Sequence, residues 1–236
     1  MKTNLLLLTF ILISIGISAQ SIIGAWQSDI TSETGENVKR VVIFSDGYQV
    51  STWYDAGTGK FIKTNGGTWK LDGDTMTEKV EFDTYIPERV GTEVTFTVYI
   101  KDNEMGIIGH PEKFVRIDNG TPGQLNGAWL MSGRVSEGKI QSRDTNIPRK
   151  TMKILSGTRF QWIAYNTETK QFSGTGGGTY TTVNGEYIEN IEFFSRDDTR
   201  VGASLKFSFD LLDGTWHHKG LSSKGEPIHE IWSVRE

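Results

Sequence analysis

The chain has 236 residues, 36 % of them hydrophobic, and carries 25 Lys+Arg against 29 Asp+Glu for a formal charge of -4. That is enough apolar material to core one large or two small domains, which excludes a disordered chain. The near balance of charge, with no run of five or more like charges, gives no reason to expect nucleic acid or an anionic membrane surface as a partner.

Met1-Lys2-Thr3-Asn4 leads into a largely apolar stretch, Leu5 to Ile13, and then into small residues ending at Ser18-Ala19. This is the layout of a cleavable signal peptide over residues 1–19, with the cut near Ala19-Gln20. Its apolar core is shorter than the ~20 residues of a spanning helix, and no other segment approaches that length. The mature protein is expected to be exported, to the periplasm or beyond. It has no cysteine, so its stability is expected to come from core burial, without disulfides.

Gly24-Ala25-Trp26 opens the first strand-like segment. Turn chemistry follows at Ser45-Asp46-Gly47, Ala56-Gly57-Thr58-Gly59 and Leu71-Asp72-Gly73-Asp74. Val94, Phe96, Val98 and Ile100 then alternate with Thr95, Thr97 and Tyr99, the period of a strand with one buried face. Asp118-Asn119-Gly120-Thr121-Pro122-Gly123 reads as a linker.

Beyond the linker the pattern starts again, at Gly127-Ala128-Trp129. A constant offset of 111 residues aligns Ile43 to Gly109 with Ile154 to Gly220. It superposes Tyr54 on Tyr165, Phe61 on Phe172, Glu78 on Glu189, Glu81-Phe82 on Glu192-Phe193 and Arg89-Val90-Gly91 on Arg200-Val201-Gly202. The offset falls to 103 at the Gly-Ala-Trp sites, so the second copy carries about eight extra residues within Glu137 to Pro148. Such self-similarity marks a tandem duplication.

The predicted fold is all-β: two tandem small antiparallel up-and-down barrels of about eight strands each, residues 20–118 and 123–236, closed because a meander must hide its edges. Strand pairing is local within each copy, so the halves are expected to fold separately when cut in the linker. Gly174-Thr175-Gly176-Gly177-Gly178 enters a strand, and is read as a bend or bulge in preference to a phosphate loop.

The two Gly-Ala-Trp entries, each followed by a meander ending in an arginine (Arg116, Arg235), resemble the lipocalin-like (calycin) barrels. The second copy, with Gly178-Thr179-Tyr180, Tyr187-Ile188-Glu189, Trp216-His217-His218-Lys219-Gly220 and Glu230-Ile231-Trp232, is similar to small lipocalin-like domains of secreted bacterial proteins. The resemblance implies structural cation–π pairs of Trp26 with Arg116 and Trp129 with Arg235. It also implies a barrel that holds a small apolar or amphipathic ligand.

Strand parity gathers Tyr180, Tyr187, Glu189, Phe207, Trp216, His218, Glu230 and Trp232 inside the second barrel, an aromatic set with a few polar groups of the kind that lines ligand pockets. The buried Glu and His side chains must find partners. By the constant offset the first copy has Trp69, Met76, Met105 and Ile107 at Tyr180, Tyr187, Trp216 and His218, and keeps Glu78 for Glu189. The second barrel is therefore expected to be the working one. Two alternatives stand beside ligand binding. One is a small-barrel isomerase or lyase using His218 with Glu189 or Glu230 as acid and base; the other is an envelope or scaffold protein without a cavity. No Gly-x-Ser-x-Gly elbow, phosphate loop or His-Glu-x-x-His is present, so no catalytic residue, metal site or cofactor is assigned. The expected partner is a small molecule.

Overall fold

A computed structural model of the chain describes residues 21–31, 35–222 and 225–236; the predicted signal peptide lies outside them. The first barrel runs β1 (Gly24–Thr31), β2 (Asn37–Ser45), β3 (Tyr48–Asp55), β4 (Phe61–Asp72), β5 (Thr75–Asp83), β6 (Glu93–Lys101), β7 (Glu104–Ile107) and β8 (Lys113–Asp118). Every neighbour is antiparallel, and β8 pairs back onto β1 to close the ring.

The second barrel follows as β9 (Gly127–Ser136), β10 (Lys139–Ser142), β11 (Arg149–Leu155), β12 (Arg159–Asn166), β13 (Phe172–Val183), β14 (Glu186–Phe194), β15 (Ser204–Leu212), β16 (Thr215–Leu221) and β17 (Pro227–Val234). It closes through β9 and β17. Strand β10 lies within the extra segment of the second copy and pairs only with β9. The tandem all-β barrels read from the sequence are thus the observed architecture.

The local chemistry that builds these hairpins is visible at the turns. Asn184-Gly185 and Asp213-Gly214 all have positive φ, the conformation that matches the twist of two flanking strands. The glycine run is a bulge, as expected: the β13–β14 register shifts between Gly177 and Gly178. A Cβ on Gly178 would sit 2.0 Å from the Asn190 carbonyl oxygen, so no other residue fits there.

At the closed ends, Trp26 Nε1 donates to the Ile22 carbonyl at 2.8 Å and Trp129 Nε1 to the Leu125 carbonyl at 2.9 Å. The Arg116 guanidinium lies 4.0 Å from the Trp26 ring centre, as the resemblance implies. Arg235 does not pair with Trp129. In the closing ladders Trp26 stands opposite Arg116, whereas Trp129 stands opposite Val234. Arg235 is one residue further on, and one residue reverses the face to which a side chain points. It leaves the barrel and donates twice to the Glu81 carboxylate of the first barrel, at 2.8 and 2.9 Å, and to the Tyr165 hydroxyl at 2.9 Å.

That contact belongs to an extended interface. In β2 the consecutive residues Val41, Val42, Ile43 and Phe44 are all buried, because alternate side chains face the barrel interior and the facing barrel. One apolar cluster joins Ala25, Val41, Ile43, Val50, Tyr54 and Phe82 to Ala128, Met152, Ile154, Ile163, Tyr165 and Phe193. Tyr54 stacks on Phe193 at 5.0 Å and donates to Glu192 at 2.7 Å; the equivalent Tyr165 packs on Phe82 at 4.8 Å and donates to Glu81 at 2.5 Å. The same contact made twice is the signature of an isologous pairing, here between two halves of one chain. Between them the buried Gln161 amide donates to the hydroxyls of Thr64 and its equivalent Thr175.

The linker is held as well. The Asp118 carboxylate accepts from the hydroxyls of Ser156 and Thr158 and from the backbone N–H groups of Gly157 and Thr158. Instead of two independent bodies on a tether, the halves share a core. Ile154→Ala, which truncates that core, is expected to cost about 2–5 kcal/mol. Urea unfolding followed by tryptophan fluorescence and by circular dichroism should give one coincident transition; two separated transitions would mean that the barrels are stable apart.

Candidate functional site

The structure does bring the predicted second-barrel residues together, but as a filled core. Tyr180, Tyr187, Phe207, Trp216 and Trp232 pack with Trp129, Phe160 and Phe209 in one buried cluster. Tyr180 donates to the Ser156 carbonyl at 2.6 Å, and Tyr187 donates to Glu189 at 2.9 Å. Burial, then the Glu189 charge, push the Tyr187 pKa well above its ordinary value.

At the centre is a residue that sequence reasoning missed, Lys153. Its ammonium lies 2.6 Å from Glu189 Oε1, both side chains being buried. The rings of Tyr187, Trp216, Trp232 and Phe207 surround it at 5.1, 5.1, 5.3 and 5.9 Å, a cation–π cage. Parity held the signal: β11 alternates Lys153 and Leu155 with Met152 and Ile154, and a charged residue among buried positions demands a partner.

His218 Nδ1 lies 3.2 Å from Glu230 Oε2, and Trp232 Nε1 donates to the same oxygen at 3.2 Å. Burial, followed by the nearby Lys153 charge, lowers the His218 pKa; the contact with Glu230 is a hydrogen bond in which Nδ1, when it carries the proton, donates to the carboxylate. Burial opposes ionisation of Glu230, but the His218 hydrogen bond and the Lys153 charge hold its pKa below the ordinary value. Among the described residues His218 Nε2 and Trp216 Nε1 are buried without a partner.

The room for a ligand is in the first barrel, as a cavity of about 570 Å³. Its floor is apolar, with Val42, Phe44, Met76, Val98 and Met105 near the closed end where Val42 stands opposite Trp26. Arg40, Gln49, Ser51, Asn65 and Glu78 form a polar waist. The mouth lies at the β5–β6 and β7–β8 connections, where Tyr85, Ile86 and His110 are exposed.

The ladders explain why the first barrel has room where the second is filled with aromatic side chains. Val42 faces Trp26 as Lys153 faces Trp129, and the offset pairs Gln49 with Phe160, Met76 with Tyr187, Val98 with Phe209, Met105 with Trp216 and Ile107 with His218. At each position the second barrel has the longer or aromatic side chain. In a ring of eight strands, side chains of that size suffice to fill the interior. The aromatic set expected to line a pocket is what closes it.

Most charges in the cavity already have partners. Arg40 Nη1 meets Glu112 Oε2 at 2.6 Å, Arg40 Nε donates to Ser51 at 2.9 Å, and the guanidinium lies over Trp53 and Phe114 at 4.1 and 4.9 Å. Arg89 pairs with the buried Asp83 at 3.2 Å. The Lys63 ammonium sits near the rings of Trp53 and Tyr85 at 4.8 and 4.5 Å. Glu78 is different: among the described residues it has neither a hydrogen bond nor an ion pair. Burial pushes its pKa up to about 7, against the opposing charges of Arg40 and Arg89.

No protein-family model and no curated protein matches the chain. The chemistry of the site therefore follows from its geometry: a mainly apolar volume with an open mouth, hydrogen-bonding groups at mid-depth and one carboxyl group with no hydrogen bond or ion pair among the described residues.

The two glutamates should respond oppositely to substitution. Lys153→Met strands the Glu189 carboxylate and is expected to cost about 3–5 kcal/mol at neutral pH. For Glu78 the folded-state pKa lies above the unfolded one, so the native state binds more protons and stability falls as pH rises from about 4.5 to about 7. Glu78→Gln removes that loss: urea titrations should show the variant more stable than the parent at about pH 8, by up to about 3 kcal/mol, and no more stable at about pH 4. A difference that does not change with pH would show that Glu78 ionises as freely as an exposed carboxylate.

Proposed function

We propose that the chain is an exported, lipocalin-like binding protein whose first barrel holds a small amphipathic ligand. The observation that carries this is the cavity of about 570 Å³ with an apolar floor and a polar waist, a size and composition within the usual range of small-molecule sites. The duplicated Gly-Ala-Trp entry with Arg116 over Trp26 supports the likeness to lipocalin-like barrels, and the signal-peptide pattern at residues 1–19 supports export. The second barrel, with its packed interior, serves as the companion that buries the outer wall of the first. Binding is better supported than acid–base catalysis, since Glu189 is paired with Lys153 and His218 with Glu230 around a filled aromatic core.

The second barrel supplies the design of the test. Val98→Phe with Met105→Trp installs in the first barrel the residues that occupy the equivalent places in the second. Titration with the neutral fluorophore N-phenyl-1-naphthylamine should show binding to the parent and a loss of roughly tenfold or more in the double variant, because the volume is gone. Phe209→Leu, in the second barrel, should leave the affinity within about twofold, as expected for distant sites. Binding that survives the double variant but is lost in Phe209→Leu would place the site in the second barrel.

A further inference from the structure

We infer that the ligand of the first barrel is a small organic ammonium ion, its charged nitrogen bound at Glu78 in the position that the Lys153 side chain takes beside Glu189. This rests on the cavity reading above and adds the chemical class of the occupant.

The argument comes from comparing the two copies. Each carries a glutamate at the same place: Glu189 lies opposite Tyr180 and Leu205, and Glu78 opposite Trp69 and Val94, their counterparts. In the second barrel the chain provides the counter-charge, a primary ammonium 2.6 Å from the carboxylate with Phe207 among the rings around it. In the first barrel the phenyl group persists as Phe96 and the carboxylate as Glu78, but the lysine position is Val42 and the space beside it is open. The acceptor is kept, the donor is absent, and the volume that the donor and its aromatic neighbours fill in the second copy is empty in the first.

The other charges at the cavity do not replace the donor. Arg40 from β2 and Arg89 from the β5–β6 connection act on Glu78 at a distance, but their hydrogen-bonding contacts go to Glu112 and Asp83; Lys63 from β4 stands at the mouth between Trp53 and Tyr85. Glu112 and Tyr85 also line the cavity, and the exposed His110 stands at its mouth in the β7–β8 connection. An ammonium ligand with an apolar body would place the body on Val42, Met76 and Met105 and donate a charge-assisted hydrogen bond to Glu78. An amphipathic carboxylate would instead bring a second negative charge to a carboxyl group that burial already disfavours ionising.

Calorimetry of the intact protein with three eight-carbon probes tests this: n-octylamine, 1-octanol and octanoate. At about pH 8 the amine should bind roughly tenfold or more tightly than the alcohol, the increment of a charge-assisted hydrogen bond, and octanoate more weakly than either. In Glu78→Gln the amine should lose its advantage over the alcohol. Val42→Lys, which supplies the ammonium from the chain, should abolish amine binding.

A readout on the unmodified protein does not depend on either variant folding. Because Glu78 titrates at about 7, amine binding near neutrality should release about half a proton to the buffer, and alcohol binding none. The release should persist in H110Q. Octanol or octanoate binding as tightly as the amine, or an amine preference that survives Glu78→Gln, would overturn the ammonium assignment while leaving the cavity as a binding site. If none of the three probes nor N-phenyl-1-naphthylamine binds, the cavity reading falls and the assignment falls with it.

Discussion

An ionised carboxylate inside a β-barrel cannot stand alone: out of water it must meet a counter-charge or keep its proton. Each half of this chain carries such a group at the same position, and the two halves satisfy it differently. In the second, Glu189 is joined to Lys153 within a ring of aromatic side chains, and the polar pair becomes part of a packed core. In the first, Glu78 has nearby arginines that are already engaged elsewhere, and its pKa is pushed up to about 7. One copy meets its carboxylate with its own lysine, whereas the other has space and a carboxyl group with no hydrogen bond or ion pair among the described residues.

Both faces of the strands carry kept and changed pairs: at the interface Val41/Met152, Tyr48/Arg159, Val50/Gln161 and Thr52/Ile163 differ, and inside the barrels Glu78/Glu189 and Phe96/Phe207 are the same. Ala25/Ala128, Ile43/Ile154, Tyr54/Tyr165, Phe61/Phe172, Thr64/Thr175 and Phe82/Phe193 are identical between the copies, and all lie at the interface between the barrels. Facing inward, Val42/Lys153, Gln49/Phe160, Met76/Tyr187, Val98/Phe209 and Met105/Trp216 differ. Two equivalent surfaces that pack on one another constrain each other, since every residue must fit both its neighbours and its own counterpart. Of the two interiors, one is filled with aromatic side chains and the other is left open around a polar waist.

Much of the fold was legible because strand alternation, turn residues and the repeated Gly-Ala-Trp each act locally. The glycine bulge at Gly177-Gly178 was legible for the same reason. Four features were not read; three depend on which way a side chain faces and one on how much volume the side chains fill. Arg235 appeared to match Arg116, but it lies one residue off the closing register and so points to the opposite barrel. The run Val41-Val42-Ile43-Phe44, apolar at both parities, signals a strand buried on both faces, yet a chain judged one barrel at a time has only one core. The aromatic set of the second copy has the composition of a pocket lining. Composition does not distinguish lining from filling, because that depends on the summed side-chain volume against the bore of the ring. Lys153 carried the decisive clue, since a lysine at an inward position implies a partner for the glutamate in one copy and a missing partner in the other.

The most direct measurement is a crystal structure of the protein grown with n-octylamine. The account places one amine in the first barrel, its nitrogen within hydrogen-bonding distance of the Glu78 carboxylate and its chain against Val42, Met76 and Met105, with the second barrel unchanged. An amine found instead among the aromatic side chains of the second barrel, or held in the first with its nitrogen turned to the mouth and away from Glu78, would contradict it.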